Sequence, residues 1–215
     1  MKCYKKAFTM IELIMIIVVV GILAVAVIPR VDRDTLVEAT NQVASHVRYT
    51  QHLAMMDDKY DPKDSTWYKS RWQIYFTKGA GSDNLWSYSV FSDFVGRKTG
   101  NPDISELAKN PQNPSKFLTG GFGGTVDKGD SRISPELNIG KKYGITNVEF
   151  TGGCSGSQRL AFDEVGRPYG ALTKADNPVK GLLKSDCTIK LSDGGNKKGI
   201  ITISTETGYV TSVIK

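Results

Sequence analysis

From Phe8 to Ile28 the chain reads FTMIELIMIIVVVGILAVAVI, 21 residues carrying one charge, Glu12. A helix of that length rises about 30 Å, the thickness of a bilayer's hydrocarbon core. Lipid-exposed backbone must satisfy its own hydrogen bonds, so a spanning reading makes this block helical despite its many β-branched residues. Lys2, Lys5 and Lys6 precede it and no acid does. That asymmetry predicts a cytoplasmic N-terminus and places everything beyond Pro29 outside. A cleavable secretory signal is the weaker reading, because the apolar core is long and runs directly into Ile28-Pro29-Arg30.

Past Pro29 the period changes. Leu36, Val37, Val43, Ala44, Val47 and Ala54 recur at spacings near three, four and seven, with charged and amide residues between them. This predicts an amphipathic helix over residues 30–60, closed by Asp61-Pro62. Strand signals follow. Arg71–Thr77 alternates, Gly79–Asn84 is a turn, and Leu85–Phe91 returns; Asn147–Thr151, Arg159–Asp163, Cys187–Leu191, Gly199–Thr205 and Tyr209–Ile214 are further strands. Helix first and strands afterwards predict an α+β fold. Its expected form is a long N-terminal helix, transmembrane half plus amphipathic half, packed on an antiparallel β-sheet or sandwich domain at 61–215. The Gly/Pro-rich stretch 96–144 carries no predicted element beyond a turn of helix near Ser105–Lys109, and long loops of this kind are functional or mobile.

Charge adds little. The formal balance is +6, and without the three leader lysines it falls to +3, too weak an excess to predict nucleic-acid binding by the whole domain. Cysteines say more. With Cys3 in the leader, Cys154 and Cys187 remain, which suits one disulfide in an oxidising compartment, two separate buried thiols being the alternative. Glu12 is costly in an apolar span unless a positive partner meets it in a helix bundle or its carboxylate reaches the headgroups.

The run Lys5-Lys6-Ala7-Phe8-Thr9-Met10-Ile11-Glu12-Leu13, with Gly21 and Pro29 downstream, resembles the class III signal of type IV prepilins and pseudopilins. The resemblance implies a leader over 1–7, cleavage by a prepilin peptidase between Ala7 and Phe8, and N-methylation of Phe8. It also implies a transmembrane and assembly helix over 8–29 in which Glu12 meets the Phe8 amine of a neighbouring subunit. Ala7 stands where the family usually has Gly. Toward the C-terminus, Leu160-Ala161-Phe162-Asp163 leading into Gly166-Arg167-Pro168, and the Thr207-Gly208 hairpin, look like GspH/FimT-like minor pseudopilins. The expected function is a structural subunit of a type II secretion, type IV pilus or DNA-uptake (competence) assembly. Its implied partners are other pilins, the peptidase and an inner-membrane assembly platform. It would be single-pass in the bacterial inner membrane, with its C-terminal domain periplasmic. A membrane-tethered periplasmic protein that binds DNA or a secreted substrate is the alternative.

No catalytic constellation can be assembled, and no cofactor or metal is implied. His46 and His52 are six apart and are read as solvated helix positions. Gly120-Gly121-Phe122-Gly123-Gly124 is followed by no Lys-Ser/Thr and is read as loop. Asp57, Asp58, Asp61 and Asp64 lack EF-hand spacing. Lys141-Lys142 and Lys197-Lys198 are short basic pairs, and Lys197 and Lys198 are kept as a weak DNA contact.

Overall fold

Asp34 decides where the second helix begins. Its backbone is extended (φ −69°, ψ 91°) and its carboxylate accepts a hydrogen bond from the Val37 N–H, the geometry of a chain entering a helix afresh. The computed structural model describes residues 9–27, 34–96 and 98–215. It divides into two units, Met1–Arg33 and Asp34–Lys215. In the first, α1 spans Met10–Val27; in the second, α2 spans Thr35–Met56 and α3 spans Ile139–Tyr143.

The long continuous N-terminal helix expected over residues 8–60 is therefore corrected to separate helices of 18 and 22 residues, the second with its own cap. Most of the fold is antiparallel sheet. The expected membrane span is corrected as well: among the described residues no helix is long and apolar enough to cross a membrane. The 18 described residues of α1 rise about 27 Å at 1.5 Å per residue, against a hydrocarbon core of about 30 Å. Although α2 is longer, it is amphipathic and spends its apolar face on the sheets. A single-pass inner-membrane placement thus loses its structural basis.

Ten strands build unit 34–215. Strands β1 (Trp72–Lys78), β2 (Trp86–Ser92), β6 (Arg159–Phe162) and β7 (Pro168–Tyr169) form one sheet in the order β2-β1-β6-β7. A second has the order β10-β9-β8-β5, from β5 (Asn147–Gly152), β8 (Cys187–Ser192), β9 (Gly199–Ile203) and β10 (Val210–Ile214). Packed against β1 and β6 of the first sheet and β8, β9 and β10 of the second, α2 presents Leu36, Ala39, Val43, Ala44, Val47 and Ala54 to a common core. The sheets answer with Ile74, Phe76, Leu160, Ile189 and Ile201. In β8 and β9 alternate residues are buried, as expected of strands with one face on a core. Gly199 is required where α2 crosses β9, because a Cβ there would run into the buried Thr40 hydroxyl.

Every residue of β2 is buried, which simple alternation does not produce. Trp86, Tyr88 and Val90 face the main core, while Phe91 on the other face joins Leu107, Phe117, Val126 and Ile133 in a second cluster. Those four residues come from the 96–144 stretch, which is structured: it holds β3 (Lys109–Asn110), β4 (Asn113–Phe117) and α3. It also bonds along the outer edge of β2, with Val90 N–H donating to the Leu118 carbonyl at 2.9 Å and Gly120 N–H to the Tyr88 carbonyl at 3.2 Å.

Candidate functional site

Three places carry chemistry or exposed binding surface: the start of α1, the underside of α2, and the turns that meet its C-terminal half. Ala7, Phe8 and Pro29 lie outside the described residues. Thr9 and Glu12 open α1 with a reciprocal cap. Glu12 N–H donates to Thr9 Oγ1 at 3.3 Å, and Thr9 N–H points to Glu12 Oε2 at 3.5 Å. Such pairs satisfy donors that a helix N-terminus leaves free, and the carboxylate also complements the helix dipole. Glu12 thus has a local role that its sequence position did not disclose. At Gly21 an added Cβ would meet nothing within 4 Å.

Beneath α2 lies a polar network that the sequence reading missed. Tyr143 donates to Gln42 Oε1 at 2.6 Å, and Gln42 Nε2 donates to the Tyr88 hydroxyl and the Glu136 carbonyl, both at 2.9 Å. With Tyr88 accepting from Gln42, its proton goes to His46 Nδ1, 2.6 Å away. His46 is therefore not a solvated position. Burial holds its pKa down at about 4, against the opposing pull of Glu136, and burial likewise raises the Tyr88 phenol. A neutral imidazole accepting from a phenol is the arrangement that leaves none of these groups unpaired. His52 is exposed.

The two C-terminal motifs converge on one α2 side chain. Gln51 Nε2 donates to the carbonyls of Gly166 and Thr207, both at 2.9 Å. Within the Gly-Arg-Pro turn, fully buried Asp163 accepts from Arg167 N–H at 2.8 Å, Arg167 Nε at 2.7 Å and the Tyr169 hydroxyl at 3.2 Å. Gly166 has φ 85°, open to glycine at little cost.

Cys154 and Cys187 form a disulfide, with Cα atoms 5.1 Å apart, fastening the turn after β5 to the start of β8. Lys197 and Lys198 are exposed, and Lys197 Nζ stands 3.8 Å from Asp34. The aspartates of the 57–64 segment serve local partners: Asp57 accepts from Trp72 Nε1 at 2.8 Å, Asp58 and Asp61 from backbone N–H groups, and Asp64 from Thr66 and Lys98. Lys98 holds the Asp64 carboxyl down at about 2. No group of three or more His, Cys, Asp or Glu that could hold a metal occurs among the described residues. The glycines at 121 and 123 lie against Gly81, so tightly that a Cβ on Gly81 would strike Gly123 N; they serve backbone packing.

Compared with known proteins, the chain matches no family model, no curated protein and no solved structure. The most unusual part of its surface is α1, where twelve large apolar side chains from Met10 to Leu23 are each 46–81% exposed.

Proposed function

We propose that this chain is a structural, non-catalytic pilin-like subunit that enters a helical fibre by burying α1 among the equivalent helices of neighbouring subunits. The exposed apolar surface of α1 carries the reading. Helices of globular proteins are apolar on one stripe, and one that is apolar all round calls for burial on every side. Covering side chains of this size is worth about 1.5–3 kcal/mol each, so a multi-helix bundle has ample driving force. Gly21 leaves a notch where a neighbouring helix can approach closely. The Lys5–Leu13 run and its resemblance to prepilin signals support the same reading, with cleavage after Ala7, methylation of Phe8, and Glu12 exchanging its Thr9 contact for the Phe8 amine of another subunit. The assembly is of the type II secretion, type IV pilus or DNA-uptake kind.

Mass spectrometry of the chain isolated from its native cell tests the processing step. The expected product begins at Phe8 and is heavier by one methyl group. A chain that begins at Met1, or one lacking residues 8–27, contradicts the proposal.

A further inference from the structure

The two four-stranded sheets end on β2, β7, β10 and β5, and the first two of these edges are covered by other segments of the unit. The insertion covers β2. Residues 181–183 cover β7, with Gly170 N–H donating to the Gly181 carbonyl at 2.8 Å and Leu183 N–H to the Pro168 carbonyl at 3.1 Å. The edge of β10 is met at one point, where Arg48 Nη2 of α2 donates to the Val210 carbonyl at 2.8 Å, while Ser212 and Ile214 also turn their backbone groups outward.

β5 differs. Its ladder with β8 runs on into a 2.9 Å bond from Gly153 N–H to the Asp186 carbonyl. Successive residues of an antiparallel strand alternate in the side to which their backbone groups point. Asn147, Glu149 and Thr151 therefore bond toward β8, while Val148 and Phe150 turn N–H and C=O outward. Among the described residues no hydrogen bond reaches those outward groups. Unpaired backbone of this kind is a template for another strand.

The surface beside it is hollow. One cavity of about 480 Å³ is lined by Tyr75, Val148, Phe150 and Arg159, and a second of about 380 Å³ by Cys154, Gly181 and Leu183. They share Ser157 and Ala171, which makes one elongated cleft along β5 and past the disulfide. Its wall is held in place: the Arg159 guanidinium lies 3.6 Å from the centre of the Tyr75 ring and donates to the Gly100 carbonyl and, at 3.3 Å, to Asn101 Oδ1. Glu149, between Val148 and Phe150 on the strand and also at the margin of the first cavity, is half exposed and 3.7 Å from Lys190.

We propose that this edge and cleft accept an extended segment of another protein chain, added as a further strand to the β10-β9-β8-β5 sheet. Main-chain bonds to Val148 and Phe150 supply the affinity. Apolar side chains at alternate positions of the incoming segment enter the cleft, and a basic side chain lies beside Glu149, since opposite charges on neighbouring strands attract. The proposal does not depend on the assembly role of α1.

The test titrates the full chain with a capped hexapeptide alternating valine and lysine, and separately with its fully N-methylated counterpart, following amide hydrogen exchange at Val148 and Phe150. At least tenfold slowing at these two amides is expected with the first peptide and none with the second. Glu149→Lys, a surface change, is expected to weaken binding threefold or more. Unchanged exchange overturns the proposal, as does equal slowing by the N-methylated peptide. Slowing that grows with protein concentration in the absence of peptide assigns the edge to a second copy and also overturns it.

Discussion

The two long helices of this chain differ in how much of their apolar surface their own unit covers. In α2 one face is sealed against two sheets, and Gln42, His46 and Gln51 tie its flanks to β2, the insertion and two turns. Apart from Glu12, α1 is apolar around its whole circumference, and its large side chains from Met10 to Leu23 stand exposed. Thus α2 draws its stability from within its own unit, whereas the apolar surface of α1 is left uncovered by its own unit. Substitutions on the two helices should therefore fail in different assays.

The largest effect belongs to the unit that holds α2. Removing the Cys154–Cys187 bridge, which closes a separation of 33 residues, is expected to cost roughly 3–4 kcal/mol by the chain-entropy model. Urea unfolding followed by tryptophan fluorescence checks it, because Trp67, Trp72 and Trp86 all lie in that unit. Next comes a matched pair of leucines. Leu36→Ala, on the buried face of α2, should lower stability by about 3 kcal/mol in the same experiment. Leu13→Ala, on exposed α1, should change it by less than about 0.5 kcal/mol. Equal losses would erase the contrast.

A smaller effect tests the network under α2. The native pKa of His46 is about 4 against an ordinary 6.5, so between these values the unfolded chain binds the extra proton. Stability therefore falls as pH drops from 6.5 toward 4, by up to roughly 3 kcal/mol for the full shift. Asp93 acts in the opposite sense. Burial raises its carboxyl to about 6, so its contribution falls as pH rises from about 4 to 6. The two are separated by comparing the protein with His46→Gln, whose stability should lose the His46 part of the slope; parallel pH profiles would contradict the assignment. Smallest is the cap of α1. Thr9→Ala should cost its helix about 1 kcal/mol, seen as lost far-UV circular dichroism with no change in the unfolding of residues 34–215.

Strand positions were largely legible in the sequence. Runs of β-branched and aromatic residues bounded by turn residues located β1, β2, β5, β8, β9 and β10 to within a residue or two of their ends. The break between α1 and α2 was not legible. The pattern past Pro29 changes period but still reads as helix, and only the cap geometry of Asp34 reveals a new start. The insertion was also hidden, since Leu107, Phe117, Val126 and Ile133 follow no period and cluster only once β2 offers its second face. His46 has partners 42 residues away and more in sequence, Tyr88 directly and Tyr143 through Gln42, and spacing along one helix cannot disclose them. Whether an edge such as β5 is free depends on how every other strand pairs, which no local pattern encodes.

In the proposed fibre α1 is covered on all sides by other subunits. Single cysteines at Ile14, Met15, Ile16 and Ile17, in a Cys3→Ser background, sample the circumference of the helix at steps of about 100°. Maleimide labelling should slow at least tenfold at all four positions when the chain is in its native assembly, compared with the dispersed chain. Labelling that stays fast, or slows along one stripe only, would contradict the account.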